Sequence, residues 1–396
     1  MSYIVVIDGK KAYPSTVEST ILDLQMLSPQ AGWAVGYIAG AMQSQYAYAS
    51  FGYFLKYEQG EWHGYISKDL EHPYTLYMTT EKDGWVLGYR HGEPSGTHLP
   101  FILRCDDGLW EEQPLPDGAY VHSLCVLPDE NAWAVGNCIL RYVQGHWVAV
   151  QEVGSDTLSR LSMISAQEGW GFGTTGNWRK GNGNCLVMHY KDGAWVRLEL
   201  ELKGHIVMGQ MLSSDEGWAV SWRKDESAWE GRRMYSGEST ILHYSNGTWS
   251  PELNVDGKLR IKMLSSTDGW AYGEYYDRSG YRPLVMRYRD GTWTKVVSDV
   301  FEQEGLNDLH MTSADEGWGA GSNNILHCHD GVWSPSIYAG SGENYDGLFR
   351  GSVNVLDNGE AWMKEKSDII HYKDGEWSRY DIHNIDFQAL PMKKRE

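Results

Sequence analysis

Asp308 and His310 stand two residues apart in the run Asn307-Asp308-Leu309-His310-Met311. On a strand both side chains would share one face, and a carboxylate beside an imidazole can move a proton near neutral pH. A different chemistry is carried by Trp178, Trp222 and Trp229, whose neighbours include Arg179, Arg223, Arg232, Arg233 and Tyr235, with Tyr276 and Arg278 further along. These residue types anchor interfaces, and aromatic rings with arginine also stack on sugars or planar ligands. Asp23, Gln25, Arg160, Arg260 and Lys262 form a third set, unlike polar groups able to orient a small ligand if one surface gathers them. The run His327-Cys328-His329-Asp330 has the look of a metal site, since residues i and i+2 share a strand face. Each set has a plainer reading. The aromatic segments can pack on one another, and the scattered charges can pair with neighbours or water.

What must position these residues is a repeat. A first tryptophan recurs at Trp33, Trp85, Trp133, Trp170, Trp218, Trp270, Trp318 and Trp362, closing phrases such as Met-Leu-Ser-Ser-Asp-Glu-Gly-Trp. A second recurs at Trp62, Trp110, Trp147, Trp195, Trp249, Trp293, Trp333 and Trp377, closing phrases such as Ile-Leu-His-Tyr-Lys-Asp-Gly-x-Trp. A period of roughly 47 residues marks a repeat architecture and overrides a domain count taken from the length of 396 residues. Alternating apolar residues before the first tryptophan give strand periodicity, and the polar phrase between them is turn chemistry. Gly two before every second tryptophan, preceded by Asp, Asn or Gln, signals a second hairpin. Each unit is therefore a four-stranded meander, A to D, and eight such units make an all-β, eight-bladed β-propeller. We expect it to span residues 22–380. Residues 1–21 precede it, with Tyr3 to Ile7 as an extra strand that pairs with the last blade or forms a flap, and residues 381–396 form a tail.

In such a meander the A–B and C–D turns lie at one end and the B–C and D–A connections at the other. Both hairpin phrases align without gaps. The separations from first to second tryptophan are 29, 25, 14, 25, 31, 23, 15 and 15 residues, so the variation sits in the B–C loops. One end is a uniform base and the other carries unequal loops, where function is usually placed. The loop of blade 1, Tyr37 to Tyr53, is nearly uncharged and reads as a lid, a pocket wall or a self-packed segment. His189, His243, His327 and His371 occupy one repeat position, held elsewhere by Lys56, Arg104, Arg141 and Arg287. The position asks for a long polar or cationic group, expected to reach the neighbouring blade. Because His327 and Asp330 are both repeat residues, no metal is expected there.

A net charge of −19 argues against a nucleic-acid partner, which needs a basic stripe, and against an anionic membrane surface. No apolar run approaches membrane-spanning length and the N-terminus lacks a signal-peptide pattern, so a cytoplasmic monomer is expected. Five scattered cysteines suit free thiols in a reducing compartment; Cys105 and Cys328 replace a repeat tyrosine and should be buried. No cofactor is expected.

The phrases Asp-Glu-Gly-Trp-Ala-Val and Ile-Leu-His-Tyr-x-Asp-Gly-x-Trp resemble those of Asp-box (BNR-like) propellers, closest to the photosystem II stability/assembly-factor branch. The resemblance implies a propeller and a non-enzymatic role in holding a partner. The sialidase catalytic set has no matching motif here, so no catalytic residue is carried over. Two functions follow. The first is a binding scaffold that grips a protein, peptide or glycan with its loop face. The second is an enzyme (a lyase, cyclase or hydrolase) acting on a small molecule or sugar at the mouth of the central channel, for which the unequal loops speak.

Overall fold

The computed structural model describes residues 5–7, 10–12, 18–41, 48–92, 97–128, 131–176, 183–224, 237–277, 280–296, 300, 306–321, 324–338, 352–365 and 367–393. The fold is all-β, an eight-bladed β-propeller in which every blade is an antiparallel A-B-C-D meander. The chain divides into two compact units, Met1–Leu115 with Phe349–Glu396, and Pro116–Leu348. The first holds blades 8, 1 and 2; the second holds blades 3 to 7. The described residues include no helix long and apolar enough to cross a membrane.

Both hairpins of the repeat have a steric cause. At the C–D turns Gln59, Asp107, Gln144, Asp192, Asn246, Asp290, Asp330 and Asp374 have φ of 47° to 55°, each followed by a glycine with φ of 76° to 90°. Two consecutive positive φ values define the type I′ turn that matches strand twist, which explains the Asp-Gly signature. The A–B hairpin pairs Met and Gly across the strands, as at Met26↔Gly32, Met163↔Gly169 and Met211↔Gly217. A Cβ on any of these glycines would fall inside the van der Waals shell of the paired methionine sulfur. Where the glycine is alanine, the methionine is valine: Val126↔Ala132 and Val355↔Ala361.

The core lies in the seams between blades. All eight first tryptophans are at most 4% exposed. In the second unit Trp133 meets Trp195 of the next blade edge to face, with centroids 5.7 Å apart, and Trp218–Trp293 and Trp270–Trp333 repeat this at 5.8 and 5.6 Å. In the first unit Trp33 meets Trp110 at 5.6 Å, and Trp362 of blade 8 meets Trp62 of blade 1 at 6.1 Å. The last blade thus joins the first by the contact used elsewhere.

The group in the histidine repeat position packs on its own blade. It lies over its own blade's first tryptophan, because the two are direct partners across the B–C pair, as at Trp170↔His189 and Trp270↔Arg287. His189, His243, His327 and His371 stack on their tryptophans at 3.6–4.1 Å with ring planes within 14°. Arg287 sits 4.2 Å from the Trp270 centroid as a cation–π pair. The Asp-Glu-Gly-Trp glutamate closes the arrangement: Glu168, Glu216, Glu316 and Glu360 bond these imidazoles at 2.7–3.1 Å. His327 is therefore a structural residue, and Cys105 and Cys328 are buried, at 1% and 0% exposure. None of the five cysteines forms a disulfide.

Of the two expectations for the N-terminal strand, pairing with the last blade is not what the structure shows. Val5–Ile7 pairs with Lys10–Ala12 in a separate two-stranded sheet. The strand that extends a blade comes from the C-terminus: Phe387–Ala389 adds in parallel to strand D of blade 1, Glu61–Ser67. Before it, Ile382 N–H donates to Ser367 O in blade 8; after it, Trp110 N–H of blade 2 donates to Pro391 O at 2.9 Å. Lys393 then pairs with Asp106 at 2.7 Å. The tail is a strap across blades 8, 1 and 2.

Candidate binding surface at the loop end

Strand A begins at the loop end, so its early residues share that end with the B–C loops. In the second unit the A strands are Val121–Val126, Thr157–Met163, His205–Met211, Lys258–Met263 and Leu306–Met311. Alternation buries Met163, Leu259, Ile261 and Leu309 against the seams, and a bulge after the buried Leu158 resets the alternation in blade 4. Residues of opposite parity are turned away from that core: Arg160, Lys258, Arg260, Lys262 and Asp308. These five strands thus carry four cations and one carboxylate in a chain whose net charge is −19.

The cations are held in place. Arg160, exposed, donates from Nη1 to Ser159 O at 2.7 Å, and Arg260, exposed, donates from Nη1 to Asn307 O on the next blade at 2.6 Å. Asp308 accepts from the Tyr272 hydroxyl at 3.4 Å. Burial, reinforced by Asp308, raises the Tyr272 hydroxyl well above the usual phenol range, so it is a donor and not a base. Trp222 is only 5% exposed. It meets His205 edge to face at 5.6 Å, and Lys258 Nζ lies 5.5 Å over its ring. Burial and then Lys258 push His205 down to about 4, and burial with Arg160 lowers His122, so both imidazoles are neutral at pH 7. Arg223 is exposed and lies 3.6 Å from Glu238. Arg160, Lys258, Arg260 and Asp308, with Tyr272 and Trp222, therefore line the loop ends of blades 4 to 7.

Other expected site residues have different employment. Asp23 accepts from Leu24 N–H at 3.0 Å and, across the seam, from Leu76 N–H at 2.8 Å. Gln25 donates to Met78 O at 2.9 Å and accepts from Met78 N–H at 2.7 Å. The same position caps the next A strand elsewhere: Ser162 to Met211 N–H, Gln210 to both polar groups of Met263, and Asn354 to Met26 N–H. His310 stands at this capping position, half-buried. Tyr276 is placed by its backbone, in register with Tyr281. Trp178, Arg179, Trp229, Arg232, Arg233, Tyr235 and Arg278 lie outside the described residues.

Sequence reasoning passed over a second cluster, at the loop end of blade 2. His72 opens strand A opposite Tyr89, and His91 on strand B faces His98 on strand C. His72 stacks on Tyr89 at 4.7 Å, Tyr89 on His98 at 4.4 Å, and His91 lies 5.2 Å from His72. The available signal was three histidines close together and off the repeat position. At the opposite, hairpin end, a cleft of about 370 Å³ lies between blades 8 and 1, lined by Pro29, Tyr57, His371, Trp377 and Tyr380 among others.

No family model matches the chain, and no curated protein matches its sequence. Solved structures match in fold. The β-propeller domain of the Trilobed protease from Pyrococcus furiosus is 8% identical over 93% of this chain and 97% of its own, with a TM-score of 0.48. An ulvan lyase of a polysaccharide lyase family is 8% identical over 79% of this chain and 94% of its own, with a TM-score of 0.47. YjhT is 10% identical over 71% of this chain and 97% of its own, at 0.41. At these identities the likeness is one of architecture: the chain is similar to β-propellers.

Proposed function

We propose that the protein is a non-enzymatic binding scaffold whose loop end, at blades 4 to 7, holds a carboxylate-bearing partner, an acidic glycan or an acidic peptide. The carrying observation is the sign of the A strands toward their loop ends: Arg160, Lys258 and Arg260 against Asp308, in a chain of net charge −19; Lys262, beside the hairpin, stands at the capping position. A guanidinium fixed by a backbone carbonyl is an oriented donor, and charge-assisted bonds to carboxylates are the strong ones. Trp222 and Tyr272 support this surface from beneath. The Asp-box resemblance, which rests on the repeat phrases, supports the same reading. Against acid–base chemistry, Asp308 is engaged by Tyr272, and His310 stands where other blades place a strand cap. The reading has no nucleic-acid or membrane partner and a monomeric chain, and five unpaired thiols suit a reducing, cytoplasmic setting.

The test is calorimetry of the full chain with oligogalacturonate and, separately, a glutamate-rich peptide. Binding of either should weaken steeply with salt. Arg260→Ala and Lys258→Ala should each lower affinity roughly tenfold or more, as expected for one charged hydrogen bond. Unchanged affinity in both variants, or no binding of either probe at low salt, rejects the assignment.

A further inference from the structure

The blade 2 cluster has the composition of a metal site. Glu71, His72 and His91 each offer a ligand atom, and the three atoms lie within 4.8 Å of one another. Strand register brings them together. His72 pairs with Tyr89, so Glu71, one residue earlier, falls beside Arg90 and His91; the Glu71 carboxylate accepts from His91 N–H at 3.2 Å and bonds the His91 Nδ1.

His72 supplies an independent observation. Its residue is 8% exposed, and its Nε2 is buried without a hydrogen-bond partner. Buried ring nitrogens are normally satisfied, because leaving one unpaired forfeits its hydration. The ring is fixed on both sides, stacked on Tyr89 and edge-on to Tyr37 at 4.6 Å. A fixed imidazole with an orphaned nitrogen, next to a carboxylate and a second imidazole, lacks only an electrophile.

We propose that Glu71, His72 and His91 bind a divalent transition-metal ion of the zinc class at the loop end of blade 2. Two imidazoles with one carboxylate suit zinc-like ions, not calcium or magnesium, which take oxygen ligands. Ligand atoms of a tetrahedral ion with bonds of about 2.0–2.1 Å stand roughly 3.4 Å apart, so the side chains close by rotamer adjustments at His91, the more exposed ligand. The ion would tie the start of strand A to the B–C hairpin of the same blade and leave an open position toward solvent.

The experiment is titration of the full, metal-stripped chain with cobalt(II), followed by its visible absorption, and with zinc(II) by calorimetry. We expect one equivalent per chain with the absorption of a low-coordinate nitrogen–oxygen site, and a rise in melting temperature on binding. His91→Ala and Glu71→Gln change half-exposed or partly exposed side chains and should fold; each should lower affinity at least about tenfold. His329→Ala, at the other end of blade 7, should bind as the parent does. Absence of a one-equivalent site, or parental affinity in both His91→Ala and Glu71→Gln, overturns the proposal.

Discussion

Replacing Gly217 by alanine should be harmful in the native chain and harmless, or slightly favourable, once Met211 is valine. The two residues are partners across the A–B hairpin of blade 5. A Cβ on Gly217 would meet only the Met211 sulfur and terminal methyl at prohibitive distance, while the nearest backbone atom stays at 3.3 Å. Met211 is 8% exposed and packed among Phe172, Ile206 and Trp249, so its side chain has little room to withdraw. Overpacking of this kind costs about 1–3 kcal/mol. Met211→Val alone removes buried volume and should cost about 1–2 kcal/mol. In the valine background the clash is gone. Gly217 has no left-handed φ, and Gly→Ala then contributes about 0.4–1 kcal/mol of stability through the unfolded chain. The pair should therefore show a coupling energy of about 2 kcal/mol by double-mutant cycle, read from urea midpoints of the four proteins. Blades 3 and 8 already contain the compensated pair, as Val126↔Ala132 and Val355↔Ala361. Additive effects would refute the claim that methionine and glycine are chosen together.

Three other outcomes are expected. Gln25→Leu strands both polar groups of Met78, and should cost about 1–3 kcal/mol with accelerated hydrogen exchange at the Met78 amide. His205 has a folded pKa of about 4 against 6.5 for the free side chain. The unfolded chain therefore binds the extra proton first, and stability is retained above pH 6.5 and lost as pH falls from there toward 4. A His205→Phe variant should flatten that part of a melting-temperature profile between pH 7 and 4. Deleting residues 382–396 removes Ile382 and Leu390, 1% and 7% exposed, at about 2 kcal/mol each, and uncovers the edge of strand D in blade 1. Lower melting temperature and concentration-dependent association by light scattering are the expected readouts.

The blades were legible because their causes are local. An Asp-Gly step demands left-handed backbone at two residues, and Met-Gly or Val-Ala across a hairpin is a choice made within seven positions. At the histidine repeat position register alone pairs each group with its own blade's first tryptophan, a contact that follows from strand pairing and not from composition. The strand caps could not be read. Gln25, Ser162, Gln210 and Asn354 do one job with different side chains, and their partners lie in the next blade. Trp222 stood out by composition as a surface anchor, yet its ring is covered by Lys258 and His205. The cluster at Glu71, His72 and His91 needed the register of strands A and B, which composition does not supply. Phe387–Ala389 is three residues long, too short to carry any periodicity.

The C-terminal strap also sets an order of events during synthesis. Blades 1 and 2 leave the ribosome before the other six, but the segment that covers the outer edge of the one and bonds Trp110 in the other follows all eight blades. Until residues 387–389 have been made, blade 1 keeps an uncapped rim, open to any passing extended chain. A ribosome that pauses before that segment would hold eight blades with one sheet border bare.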